Sequence, residues 1–383
     1  MDSTIPSSTA GIPRWGLPPW TIDFPLQRQP LPDEVDFVVV GGGFTGLAAT
    51  AWLRHLNPHK SVALFEASRI GAGSSGHTGG MALPESAAGD LPGLGDVLSG
   101  YAQILQELKV QCDLTLPGAF EIGRQGILPD SPIAWNDSGR LGVTREMPGG
   151  TVDPGKLLGG LAKAAINNGA LIFENAPVES FGAAESPVLR IHGNMVRARC
   201  VLLATNAESL ELSGLAGLAL PKFTLAVATE ALSTEQLSLL GLAAARPFYT
   251  VDLPYLWGRV FQENRLIFGS GLVHLEDWRE LLVLNVAQGR AAELLSDLEN
   301  RVHNLHPALH DVRISHRWGG PILIPNHWRP VFRRHAEHQD VIVLGGFSGH
   351  GVALSVYLGS WAAEAMLGKR NLPQWQDAAS ATA

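Results

Sequence analysis

Two kinds of apolar pattern alternate along the chain: short unbroken runs that stop at glycines, and longer stretches in which apolar residues recur every three or four positions. Phe37-Val38-Val39-Val40 is of the first kind, rich in β-branched residues and too short for a helix, which predicts a strand buried in a parallel sheet. Val62-Ala63-Leu64-Phe65, Leu171-Ile172-Phe173, Val201-Leu202-Leu203 and Val341-Ile342-Val343-Leu344 predict further strands, and another is expected within Thr115–Gly126. Of the second kind, Leu94, Val97, Tyr101, Ile104, Leu105 and Leu108 mark an amphipathic helix within residues 91–112. Leu157, Leu158, Leu161 and Ala164 mark another, from Lys156 to a stop at Gly169. Residues 222–300 have a different character. Phe223–Thr229, Phe248–Val251 and Arg265–Gly269 are strand-like, with Glu263-Asn264 as a hairpin turn after Arg259-Val260-Phe261.

The strand at residue 37 ends in Gly41, Gly43 and Gly46, at G-x-G-x-x-G spacing. In that pattern the first glycine permits a tight turn, the second lets backbone approach a pyrophosphate, and the third lets helix and strand pack closely. The helix that follows carries the small residues Ala48, Ala49 and Ala51, and its N-terminus favours anionic oxygens. The next strand ends in Glu66, twenty residues beyond Gly46, where a carboxylate accepts hydrogen bonds from a ribose and repels a 2′-phosphate. Strand, glycines, helix, strand and acid in this order predict a Rossmann-like unit for an adenine dinucleotide, FAD or NAD. Near the C-terminus Gly345-Gly346-Phe347-Ser348-Gly349 mirrors Gly42-Gly43-Phe44-Thr45-Gly46, and a helix from Val352 to Leu367 follows. A nicotinamide enzyme has no need of a second glycine-rich helix start so far downstream; an extended FAD does.

Composition narrows the partners. With 383 residues, 45% apolar and 17% charged, the chain suits a discontinuous two-domain globular protein. A net charge of −8 gives no basic footprint, which argues against nucleic acid and anionic membrane surfaces. No apolar run reaches a membrane-spanning length and the N-terminus lacks a signal-peptide pattern, so a cytoplasmic protein is expected. Cys112 and Cys200 lack metal-site spacing and are expected to be inert packed thiols, with no metal site. Residues 1–35, punctuated by seven prolines, form an arm. Trp15, Trp20 and Phe24 would pack it along the surface or against a neighbouring subunit; the other reading is a partly disordered leader.

The glycine motif and Glu66, followed by Gly71-Ala72-Gly73-Ser74-Ser75-Gly76-His77-Thr78-Gly79-Gly80, resemble the FAD-dependent amine and amino-acid oxidoreductases of the D-amino-acid oxidase and glycine oxidase superfamily. That superfamily includes sarcosine and dimethylglycine oxidases and γ-glutamylputrescine oxidase. The resemblance implies an α/β fold, with a Rossmann-like FAD-binding domain and an interleaved antiparallel-sheet substrate domain. The first would comprise residues 36–90, 150–220 and 310–383, the second 91–149 and 221–309. It implies FAD contacts at Gly41, Gly43, Phe44, Thr45, Gly46, Glu66 and Ala67, and along the loop at Gly73, Ser74, Ser75, His77, Thr78, Gly79 and Gly80. Further contacts are implied at Val178, Ala204, Thr205, Asn206 and Gly320, and at Gly346, Phe347, Ser348, Gly349, His350 and Gly351. Around His77 the pattern is similar to the dimethylglycine and sarcosine dehydrogenase branch, where a histidine carries the flavin covalently. A hydrogen-bonding His77 beside a freely bound flavin is the other reading.

The activity implied is hydride transfer from a carbon next to an amine nitrogen to flavin N5, giving an imine that water hydrolyses. The substrate would be a small amine or N-substituted amino acid, with O2 or a redox carrier as electron acceptor. Tyr255, Trp257 and Arg259 are candidates for the pocket wall. His350 either favours the free amine and polarises the flavin edge, or caps the last helix. Two departures from the superfamily bear on the substrate and the acceptor. Trp318-Gly319-Gly320-Pro321-Ile322 lacks the arginine that clamps a substrate carboxylate in many relatives, so a simple α-amino acid is disfavoured unless Arg259 or Arg317 takes that place. No lysine lies between Lys222 and Lys369 to match the one that assists oxygen reduction in some relatives, which leaves oxidase and dehydrogenase both open. An NAD-dependent dehydrogenase, a non-catalytic FAD-binding protein and a flavoenzyme acting on a hydroxy acid remain as alternatives.

Overall fold

The computed structural model describes residues 13–26, 29–183 and 186–375. Two eight-stranded sheets organise them. In the first, Glu34–Val40 lies between Val62–Phe65 and Asn194–Leu203, and all three run parallel. Leu171–Phe173 extends the parallel set beyond Val62–Phe65, and Val341–Gly345 extends it beyond Asn194–Leu203. Val331–Arg334 closes that edge antiparallel, and the strands Val178–Ala183 and Pro187–Ile191 hang from Asn194–Leu203. The central strands read as continuous apolar runs because both faces are covered.

Helices Phe44–Leu56, Pro154–Asn167 and Gly351–Met366 pack together beside this sheet. The first ten residues of Phe44–Leu56 are buried all round, which is why its pattern lacks a polar face. Close approach to the last helix depends on Gly359: a Cβ there would stand 2.6 Å from the Thr45 carbonyl oxygen. Pro154–Asn167 starts cleanly because the Asp153 side chain accepts from the Lys156 N–H at 3.0 Å and Pro154 opens the first turn.

The second sheet runs in the order Ile314–Pro325, Ala219–Thr229, Arg265–His274, Leu256–Phe261, Phe248–Thr250, Ala119–Gly123, Arg140–Met147 and Trp135–Asn136. All its pairings are antiparallel except Phe248–Thr250 with Ala119–Gly123. Ile314–Pro325, grouped with the nucleotide-binding segments on sequence grounds, pairs with Ala219–Thr229 from Ala219↔Pro325 to Thr229↔Ile314 and so belongs to this sheet. The expected hairpin turn is present, with Glu263 and Asn264 at φ of 56° and 60°.

The described part of the arm packs on its own chain. Trp20 is buried and its indole N–H donates to the Gly76 carbonyl at 2.9 Å, while Gly16 bridges to Trp318. Residues 1–12 lie outside the described segments. The glycine-rich stretch from residue 71 to 80 is not wholly loop: Ser74–His77 forms one helical turn, and Gly76 sits so close to Gly71 that a Cβ there would be 2.0 Å from the Gly71 carbonyl oxygen.

Candidate active site

Both glycine motifs open into one cavity of about 1090 Å³ that runs between the two sheets. Its volume lies just above the ~300–1,000 Å³ usual for small-molecule sites, as an extended ligand requires. At one end the first motif, Gly41 to Thr45, faces Glu66 and Ala67. Glu66 Oε2 accepts from the Gly42 N–H at 2.7 Å, and Oε1 accepts from the Ser68 N–H at 2.8 Å. Burial pushes this carboxyl up, and the two backbone donors act against that. Ser75 joins the turn to the loop, its hydroxyl accepting from the Phe44 N–H at 3.0 Å.

In the middle, Asn206 ties three elements together. Its amide donates to the Ser74 hydroxyl and its Oδ1 accepts from the Gly346 N–H, each at 2.9 Å. Ala204, Thr205, Val178 and the second-motif residues Phe347, Ser348, Gly349, His350 and Gly351 line the cavity here. Ser74, Ser75, Gly73, Thr78 and Gly79 line it from the opposite loop. Two buried hydroxyls among the lining residues, Thr205 Oγ1 and Ser355 Oγ, have no partner in the protein. Two orphaned hydroxyls in the wall of one cavity fit a polar ligand bound in it.

His77 lies on the cavity wall. Its Nδ1 is 2.8 Å from the Gly73 carbonyl oxygen, so Nδ1 carries the proton and Nε2 keeps its lone pair. Burial lowers its pKa, which keeps the ring neutral. Gly320 is required beside it, since a Cβ there would fall 2.6 Å from the His77 Cβ. The arm reaches this point too: the Trp15 ring meets the imidazole edge-on with centroids 5.4 Å apart, and the Trp318 indole donates to the His77 carbonyl at 3.0 Å.

The far end is an aromatic chamber. Tyr255 and Trp257 line it, together with Tyr249, Thr224, His274 and Trp328, which the sequence did not single out. The Tyr249 hydroxyl is 3.4 Å from Glu85 Oε1, and burial together with Glu85 pushes the Tyr255 hydroxyl to about 12. The Trp257 ring fills the space above two glycines: a Cβ on Gly269 or Gly79 would stand 2.0 or 2.1 Å from it. His350 occupies the position before helix Gly351–Met366, yet its side chain makes no capping bond. The capping reading therefore fails, and burial holds the imidazole in its neutral form against the opposing pull of the Ser348 carbonyl and Glu85.

Four expected contacts lie outside the cavity lining. Gly46 is the packing glycine, with a notional Cβ 2.0 Å from the Gly41 carbonyl oxygen, and Gly346 is a turn at φ 75°. Gly80 and Arg259 meet behind the wall: the buried guanidinium Nη1 donates to the Gly80 and Val152 carbonyls at 2.9 and 2.6 Å. Burial lowers the Arg259 pKa to about 10, and Asp153 opposes this. Arg259 thus lies outside the cavity lining and braces the backbone through Nη1, while its buried Nε has no partner among the described residues. Arg317, the other candidate clamp, is paired with Glu299 at 2.5 Å.

The profile of the DAO family, FAD dependent oxidoreductase, matches residues 36–365. Gamma-glutamylputrescine oxidoreductase of Escherichia coli is 27% identical over 380 residues, covering 87% of this chain and 84% of that protein. Glycine oxidase from Geobacillus kaustophilus superposes with a TM-score of 0.69 at 21% identity, over 89% of this chain and 96% of the other. L-proline dehydrogenase from P. horikoshii does so with 0.70 at 19%, over 90% and 96%.

Proposed function

The chain belongs to the family of FAD-dependent oxidoreductases, and from that premise we propose that it oxidises the C–N bond of an amine that carries no α-carboxylate. When bound, FAD supplies the acceptor for a hydride from the carbon next to nitrogen, leaving an imine that water hydrolyses to a carbonyl compound and the freed amine. Glu66, the first glycine turn and the start of helix Phe44–Leu56 would hold the nucleotide half; Ser74–His77, Thr205 and the turn Phe347–Gly351 would hold the flavin half.

The observation that carries the substrate class is the state of the arginines. A carboxylate clamp needs a free guanidinium in the chamber. Arg301 is the one Lys or Arg lining the cavity among the described residues, and it is committed: it bonds Asp137 at 2.6 Å and the carbonyls of Pro254 and Tyr255 at 2.6 and 3.0 Å. Arg259 and Arg317 are committed elsewhere. The lining offers instead Asp297 and neutral His350, with Glu85 behind it at 3.4 Å from the Tyr249 hydroxyl. Such groups suit an amine: His350 takes the proton of an incoming ammonium, and the aromatic walls exclude water and orient the C–H. The γ-glutamylputrescine oxidoreductase relative, named for an amine, supports the same reading.

A second reading concerns His77. Its neutral ring and free Nε2 are what attachment to the flavin would need, and flavin retained in the pellet after acid precipitation of the protein would establish it. The substrate class is tested by paired substrates, an amine and its α-carboxylated counterpart, with aldehyde formation as readout. The amine should be preferred by at least about tenfold in kcat/KM, the scale of one lost charge-assisted contact. Preference for the amino acid would overturn the reading.

A further inference from the structure

Glu208 lies in the turn after strand Asn194–Leu203 and lines the cavity within electrostatic reach of Glu66. One carboxylate oxygen is 3.7 Å from where a Cβ on Gly73 would stand, at the head of the turn Ser74–His77. Among the described residues this carboxylate has no hydrogen-bond or ion-pair partner. We propose that Glu208 holds FAD as a neutral acid, donating its proton to an oxygen of the ribose–pyrophosphate segment. The proposal rests on FAD being the ligand and is independent of the substrate.

The argument is one of charge. The pyrophosphate brings negative charge into this end of the cavity, where no Lys or Arg lines the wall among the described residues; Arg301 lines the other end and is paired. An ionised Glu208 would add a like charge with no cationic side chain beside it to offset it. A protonated Glu208 removes that repulsion and becomes a donor aimed at an acceptor-rich ligand. The groups that face it agree. Glu66, from the end of strand Val62–Phe65, is a second carboxylate whose two oxygens are already committed to Gly42 and Ser68. His77, on the opposing turn, is neutral through burial. Glu211, on the Glu208 side, is turned away to Arg279 at 2.7 Å. Burial first, and Glu66 second, push the Glu208 carboxyl up to about 7. Below that value the acid is present before the ligand arrives. Above it, binding must take up a proton.

The test is FAD affinity against pH, from about pH 6 to pH 9, with proton uptake measured calorimetrically in buffers of different ionisation enthalpy. Apoprotein of the His77→Ala variant is used, so that the flavin exchanges whatever the native linkage. The dissociation constant should be flat below about pH 7 and then rise by up to tenfold per unit, with uptake approaching one proton. Adding Glu208→Gln, which keeps a donor and cannot ionise, should abolish both the slope and the uptake while binding stays tight. Adding Glu208→Ala should give weaker binding that is equally flat. A slope retained in Glu208→Gln would place the proton on another group and overturn the proposal, as would a flat profile without uptake in the parent. Failure to bind FAD at any pH would overturn it together with the cofactor assignment, whereas inactivity towards amines would leave it intact.

Discussion

Glu66 Oε2 accepts a hydrogen bond from the backbone N–H of Gly42 at 2.7 Å, so the acid that ends the second strand is fastened to the turn that ends the first. The same carboxylate thus lines the cavity and braces the turn proposed to receive the phosphates. Removing a charge-assisted bond of this kind costs about 1.5–3 kcal/mol. Glu66→Ala is therefore expected to raise the FAD dissociation constant by about 10- to 100-fold, measured by fluorescence titration of the apoprotein. A change below about threefold would detach Glu66 from the nucleotide site.

Arg259 is expected to matter for stability and not for substrate. Its guanidinium satisfies the carbonyls of Gly80 and Val152 in a buried site, and Phe261 lies under it at 5.0 Å. Arg259→Met leaves both carbonyls without that donor, and the melting temperature should fall by several degrees, on the scale of about 2–4 kcal/mol. KM for the amine should move by less than about twofold, since no substrate contact is lost. A large rise in KM at unchanged melting temperature would restore Arg259 to the pocket wall.

Trp257 and Gly269 are a matched pair. A methyl group on Gly269 would stand 2.0 Å from the indole, so Gly269→Ala must displace the ring from the chamber. The single variant should lose stability and substrate affinity together. In a Trp257→Ala background the same substitution should be nearly neutral, which a double-mutant cycle would record as a coupling above about 1 kcal/mol. Additive effects would show that the ring does not depend on that glycine.

His350 sets an acid limb. Burial lowers its pKa from the ordinary histidine value, so the neutral base persists to lower pH than a free imidazole would and is lost as pH falls through the lowered value. With an amine substrate, kcat/KM should therefore decline on the acid side, and His350→Asn should remove that limb and lower the plateau by about 10²-fold or more. An unchanged acid limb in His350→Asn would assign it to another group.

The parts of this account that were legible in the sequence are those whose cause is local. Phe37–Val40 and Val341–Leu344 are apolar runs ended by glycines, and the turn, the helix start and the parallel strand all follow from residues a few positions apart. Glu66 was legible because its distance from Gly46 is fixed by one helix and one strand. The rest depends on contacts across the fold. Nothing near Arg259 in the sequence reveals that it reaches Val152, 107 positions away, nor does anything near Trp20 reveal its bond to Gly76. Ile314–Pro325 follows a helix and precedes the last parallel strand, so only its register along Ala219–Thr229 shows which sheet it joins. Glu208 carries no local signature at all: an acid after a strand end is ordinary until the fold sets it near Glu66 and Gly73 in a cavity whose one lining Lys or Arg among the described residues, Arg301, is already paired.

The most direct test of the central claim is the visible spectrum of the flavin-loaded protein under anaerobic conditions as candidate substrates are added. Amines without an α-carboxylate should abolish the absorbance of the oxidised flavin, and their carboxylated counterparts should act far more slowly. A spectrum left unchanged by every amine and bleached by a hydroxy acid would contradict the account.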